Sequence, residues 1–333
     1  MNHPSKKNIK KTVCIFGCKY TTLELIKRLS NNKFQFDYCI TISPEKAIEQ
    51  KVAGYLDLEP FLKELKIPMK RVSKYNLDSK EDMEMIKSLN IDIIFCMGWQ
   101  RLIPEWLLNN LSVGAFGMHG SNKPLPHGRG RSPLNWSLIQ NKKIFFTHLF
   151  QYLPGVDDGP IIGCIKFDIN AWDDCNTLHL KNLLAMSKLC LKNLPNLLEN
   201  KVYSIPQNQI EPSYFPKRSM EDGLIFWEDS TMDIYNLIRA VTKPFPGAFS
   251  FINNEIEKKI IIWNAVPFDS RLEWDNKTYG EILEVFNDGT FIVMCADGVL
   301  LIKDYAYMDK SELIEGNILG SADYVPKKYN LPR

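Results

Sequence analysis

Short apolar runs alternate with amphipathic stretches through the first half of the chain. TVCIFG, FDYCITI, IDIIFCMG and GAFGMH are almost wholly apolar, as strands covered on both faces are, whereas TLELIKRLS, DMEMIKSLN and PEWLLNNL space their apolar residues three and four apart. Strand and helix in succession predict an α/β arrangement, a mostly parallel sheet with helices on both faces. FFTHLFQYL and GPIIGCIKFDI read as two further strands. A long helix is expected over 176–198, its apolar faces built from Leu178, Leu180, Leu183, Leu184, Leu189 and Leu191.

The pattern then breaks. Residues 203–219, YSIPQNQIEPSYFPKRS, carry three prolines and little periodicity and read as a linker. Beyond them lie one helix, MDIYNLIRAV, and the strands GAFSFI, KKIIIWNAV, GEILEVF, TFIVMCA and GVLLIKDY, with turns such as NDG and ADG between them. Short strands on tight turns predict a small barrel. The expected division is a first domain over 1–202, a linker over 203–219 and a smaller β-rich domain over 220–333.

Composition narrows the class. A chain of 333 residues exceeds one typical core, and 45% hydrophobic with 24% charged residues is ordinary for a folded protein. No run is long enough to cross a bilayer, and the lysine-rich start leads into no long apolar segment, so a cytoplasmic protein without a membrane partner is expected. The eight cysteines form no Cys-x-x-Cys pair and read as buried free thiols. His127 and His148 lack partners at ligand spacing, so no metal is expected. Net charge is +2, unevenly shared: from Lys201 onward 14 Lys and Arg face 20 Asp and Glu, against 27 and 19 before it. An acidic second half repels polyanions.

The chemistry concentrates in FGMHGSNKPLPHGRGRSPLNW, residues 116–136, where glycine and proline hold a fixed irregular path that displays histidine and arginine. GAFGMH carries His119 to the carboxyl end of a strand, where open parallel sheets bind ligands, and LPGVDDGPII presents Asp157 similarly. Imidazole and carboxylate together make a general base and its orienting group.

The run His119, Ser121, Pro124 or Pro126, Arg129, Gly130, Pro133 and Trp136, then Thr147, Asp157, Gly159 and Ile161, resembles the N10-formyltetrahydrofolate-dependent formyltransferases. That family includes sugar N-formyltransferases and methionyl-tRNA formyltransferase. The spacing of its signature is kept with two more residues between His119 and Arg129. CIFG, GWQRLIP, EDGLIFW and LIRAVTKPFPGAF extend the similarity along the chain.

The resemblance implies a Rossmann-like first domain and an OB-like barrel. It further implies N10-formyltetrahydrofolate as formyl donor, His119 and Asp157 as catalytic residues, and a donor site at Gln100, Arg101, Leu102, Ile103, Pro104, Gly155 and Val156. Arg129 and Ser121 are candidates for holding the acceptor, with Arg101 or Arg129 as cation for a diphosphate. One position departs: where the family has an asparagine thought to donate to the formyl oxygen, this chain has Gly117. Losing such a donor costs roughly 100-fold to 1000-fold in rate. Asn122 is the expected substitute.

The acidic second half disfavours transfer RNA, which needs a basic surface, and a nucleotide-linked amino sugar is the expected acceptor. The alternatives are methionyl-tRNA formylation, hydrolysis of formyltetrahydrofolate, and a folate-binding protein impaired in catalysis. A homodimer is left open.

Overall fold

The strands that open the chain are apolar on both faces because both faces are covered. The computed structural model describes residues 10–274, 278–307, 313–325, 327, 329 and 331–332. In order, its first half comprises β1 (Val13–Phe16), α1 (Tyr20–Asn31), β2 (Tyr38–Ile42), α2 (Pro44–Glu49), α3 (Glu59–Glu64), β3 (Met69–Val72) and α4 (Lys80–Ser88). Next come β4 (Ile93–Cys96), α5 (Glu105–Leu108), β5 (Gly114–Ser121), β6 (Arg129–Gly130), α6 (Pro133–Ile139), β7 (Ile144–Gln151), β8 (Ile161–Asp168) and α7 (Cys175–Leu198). Seven of these strands form one sheet in the order β3-β2-β1-β4-β5-β7-β8. The pairs from β3 to β5 are parallel, as the strand and helix alternation predicts.

The chain forms two compact units, each assembled from three stretches. The first takes residues up to Gly120, Phe146–Lys166 and Lys181–Pro212. Along β1 the burial alternates between two apolar layers: Val13 and Ile15 join Leu23, Ile26, Phe95, Phe116 and Leu189, while Cys14 and Phe16 join Ile40, Ile94, Trp99 and Ala115. Each Val, Leu, Ile or Phe among them contributes about 1.5–3 kcal/mol on burial. The strand starts are pinned by carboxylates, Asp92 accepting from the Thr12 N–H at 2.8 Å and Asp37 from that of Val13 at 2.9 Å. PEWLLNNL yields only the short α5, because Asn109 and Asn110 follow it in a turn, where asparagine competes with helix.

The second unit takes Ser121–Phe145, Phe167–Leu180 and the chain from Ser213. Here lie β9 (Tyr214–Phe215), which pairs with β6, then α8 (Thr231–Val241), β10 (Ala248–Ile252), β11 (Lys259–Asp269), β12 (Ile282–Val285), β13 (Phe291–Met294), β14 (Val299–Tyr307) and β15 (Leu319–Gly320). Six strands form an antiparallel sheet in the order β12-β13-β14-β11-β10-β15. Register shifts along β11 between Ile262 and Asn264 and between Pro267 and Asp269 bend it, as bulges do. The two outer strands then meet: Glu281 bridges Ile318, and the Leu319 N–H donates to the Gly280 carbonyl at 2.8 Å. The sheet is therefore a barrel.

Ile260, Ile262, Phe291, Val293 and Leu300 fill it, with Ile234 and Ile238 of α8 and Leu134 and Leu138 of α6 in the same core. Buried Arg239 on α8 donates to the carbonyls of Asn170 at 2.8 Å, Ala171 at 3.3 Å and Asp173 at 2.7 Å. No described helix is long and apolar enough to cross a membrane.

Candidate active site

The strand order reverses direction between β1 and β4, so their connections leave on opposite sides and open a crevice at their carboxyl ends. The chain passes close there: a β-carbon on Gly17 would overlap the Met97 carbonyl and the Thr22 hydroxyl, so only glycine fits. Beyond β4, the segment Gln100–Pro104 is held by Tyr75. The Tyr75 hydroxyl accepts from the Gln100 N–H at 2.8 Å, Trp99 meets the Tyr75 ring edge-on at 4.6 Å, and the Arg101 guanidinium lies over the ring at 4.8 Å. Ile103 is buried and Leu102 is exposed.

The neighbouring strand β5 carries His119, which is buried. Its Nδ1 lies 3.3 Å from Oδ2 of Asp157. Asp157 reaches it from a loop in which its own backbone is left-handed, φ 51°. The side-chain amide of Gln207 clamps that loop, donating to the carbonyls of Asp157 at 2.7 Å and Gly159 at 2.9 Å. Gly155 and Val156 lie on the same loop, with the Asp158 carboxylate packed against Gly155 and Val156 exposed.

Gly117 and His119 are two apart on β5 and share one face of the sheet. On that face the ring of Tyr152 fills the space beside Gly117: an added β-carbon would overlap the Tyr152 Cε1, Cζ and hydroxyl oxygen. The Tyr152 N–H donates to the Ala115 carbonyl at 2.8 Å, which seats the residue on β5. Burial first, then Cys96 and Asp157, raise the Tyr152 pKa well above the ordinary phenol value. His148 of β7 is also buried; its ring hydrogen-bonds the backbone of His119, and its Nδ1 has no partner among the described residues.

The structure thus brings together His119 and Asp157, with Gly155 and Val156 on the aspartate's loop and Gln100, Arg101, Leu102, Ile103 and Pro104 after the adjacent parallel strand. Ser121, Asn122 and Arg129 belong to the second unit. Ser121 is fully buried, its hydroxyl against Gly128 and donating to the Asn122 Oδ1 at 3.3 Å. Arg129 is fixed on β6, its N–H on the Ser213 carbonyl at 2.9 Å and its guanidinium 3.4 Å from the Tyr214 hydroxyl. Tyr75, His148, Tyr152 and Gln207 went unassigned in the sequence. Gln207 lies in the proline-rich stretch read as linker, and His148 counted only as a histidine without ligand spacing. Among the described residues, no group of three His, Cys, Asp or Glu is placed to hold a metal ion. Seven cysteines are buried, whereas Cys164 is exposed because it sits on the outer face of the edge strand β8.

The formyl transferase family model matches residues 10–192, and that of the formyl transferase C-terminal domain matches residues 217–317. The chain belongs to the formyl transferase family. Within it, the bifunctional polymyxin resistance protein ArnA of Wigglesworthia glossinidia brevipalpis is 36% identical over 244 residues, 73% of this chain. The chain spans only 35% of that relative's length. Among solved structures, HypX from Aquifex aeolicus in complex with tetrahydrofolic acid is similar with a TM-score of 0.64 at 17% identity, over 91% of this chain and 45% of that one. An N-formyltransferase from Helicobacter canadensis, in complex with folinic acid and dTDP-3-aminofucose, is similar with a TM-score of 0.61 at 19% identity, over 89% of this chain and 100% of that one. At those identities the two structures establish the shared formyl transferase fold.

Proposed function

We propose that this protein transfers a formyl group from N10-formyltetrahydrofolate to the primary amine of a nucleotide-linked amino sugar. The observation that carries the reading is the contact of His119 Nδ1 with Asp157 Oδ2 at 3.3 Å, at the carboxyl end of β5 in a formyl transferase chain. Nδ1 meets the carboxylate, which orients the imidazole and favours its charged form. The neutral amine of the acceptor attacks the formyl carbon, and His119 takes the proton that the amine must lose. The same imidazolium then protonates N10 of the departing folate, while Asp157 steadies the transient positive charge.

Gln100, Arg101, Leu102, Ile103, Pro104, Gly155 and Val156 are assigned to the formyl donor. Leu102 and Val156 support this, since both leave large apolar side chains exposed, and a flat heterocycle needs apolar walls with few fixed polar partners. Arg129 and Ser121 are assigned to the acceptor. The acidic balance from Lys201 onward favours a small phosphorylated acceptor over transfer RNA, because nucleic acid binding requires many cations to displace counterions.

The test is to incubate the protein with formyl donor and a panel of nucleoside-diphosphate 3-amino and 4-amino deoxysugars and to follow formyl gain by mass spectrometry. A formylated sugar is expected. Formylation of methionyl-tRNA at a matching rate would overturn the acceptor, and formate release without any amine would point to hydrolysis.

A further inference from the structure

Attack of an amine on a formyl carbon drives the carbonyl electron pair onto oxygen, and a donor aimed at that oxygen is a large part of the catalysis of acyl transfer. His119 is assigned to the amine proton, so the donor to oxygen must be a second group. On the same face of β5, two residues before His119, the phenol of Tyr152 fills the space at Gly117. Position 117 offers no side chain, and the edge of the Tyr152 ring, from Cε1 and Cζ to the hydroxyl oxygen, takes the space that the β-carbon of a side chain there would need.

We propose that the Tyr152 hydroxyl is the hydrogen-bond donor to the formyl oxygen during transfer, a catalytic role made possible by glycine at position 117. The inference rests on the formyl transfer reading. In the addition step the amine nitrogen forms its bond to carbon, and the former carbonyl oxygen carries the negative charge and accepts the Tyr152 O–H. In the collapse step the pair returns to carbon, the bond from carbon to N10 breaks, N10 takes the proton held by His119, and the phenol is unchanged. The raised pKa of Tyr152 keeps the O–H intact at neutral pH, which a donor requires. The carboxylate of Asp157 is the charged group acting on it, with the Cys96 thiol nearby.

Tyr152→Phe tests this, since it keeps the ring that packs over Gly117 and removes only the hydroxyl. The expected result is a fall in single-turnover rate of roughly 100-fold to 1000-fold with the dissociation constant for the formyl donor unchanged, because such a donor acts in the transition state. Gly117→Ala provides a second arm: the added methyl displaces the ring, and the rate should fall with it while the thermal midpoint shows the protein still folded. A Tyr152→Phe rate equal to wild type, or a loss confined to donor binding, would overturn the role of the tyrosine alone. So would an Asn122→Ala variant that carries the whole rate loss. Wild-type protein that formylates no amine would overturn both this role and the reading beneath it.

Discussion

His148 stands against His119 with its ring on the His119 backbone and its own Nδ1 unpartnered among the described residues. Burial first, and the nearness of the His119 imidazole second, lower its pKa from 6.5 to about 4. The folded state therefore keeps His148 neutral where the unfolded chain takes up a proton. Stability is drawn away as pH falls below 6.5, and the loss levels off only near 4. By pH 5 this one residue should cost about 2 kcal/mol relative to pH 7. His148→Gln should show a shallower decline in urea-unfolding free energy across that interval, and parallel slopes would exclude the assignment.

His119 and Asp157 act as a unit in the proposed chemistry. His119→Asn and Asp157→Asn are each expected to lower the single-turnover rate by about 100-fold to 10,000-fold with the circular dichroism spectrum intact. The double variant should be no slower than His119→Asn, since removing one member of a unit disables the other. Additive losses would show that the two residues work independently.

Gln207 touches no assigned reactant, yet it holds the carbonyls on either side of Asp158. Gln207→Ala should loosen the aspartate loop and lower kcat/KM about 10-fold to 100-fold, the scale of a misplacement of roughly an ångström. The thermal midpoint should scarcely move. A large midpoint drop with unaltered kinetics would make Gln207 a purely structural clamp.

Arg239 anchors the second unit. Arg239→Met fills a similar volume but leaves the carbonyls of Asn170, Ala171 and Asp173 without their shared donor, at an expected cost of about 3 kcal/mol in urea unfolding. Arg239→Lys should recover only part of it, because an ammonium cannot span the positions that a planar guanidinium reaches. Equal stability for both variants would contradict that reasoning.

Much of this was legible in the sequence because two periodicities dominate it. Strands apolar on both faces, such as VCIF and IIFC, announce a covered sheet, and the helices between them announce its parallel pairing through β5. His119 was placed at a strand end by the same reasoning. Its contact with Asp157 could be expected only from motif spacing, because β7 must first fold back beside β5. What fills the space at Gly117 was not readable: a glycine reports that a side chain is absent, never which distant ring takes its room. FFTHLFQYL announced a strand without saying which face His148 and Tyr152 share. Gln207 was hidden for a related reason, since irregular segments carry no period from which a contact can be inferred.

The two sheets finish in different ways, and this bears on how the molecule keeps to itself. In the barrel, the Glu281 bridge to Ile318 joins first edge to last, so the outer strands find partners within the ring instead of presenting open backbone to a foreign strand. The seven-stranded sheet has two true borders. At one, β3 turns Lys70 and Arg71 to solvent; at the other, β8 exposes Lys166 and Asp168 and takes a bridge from Ile161 to Ile205. Charges on a border strand oppose edge-to-edge pairing, and a strap of chain removes part of the template. Strand addition, a common route from open sheets to aggregates, is obstructed at these borders by charge and chain path and in the barrel by closure.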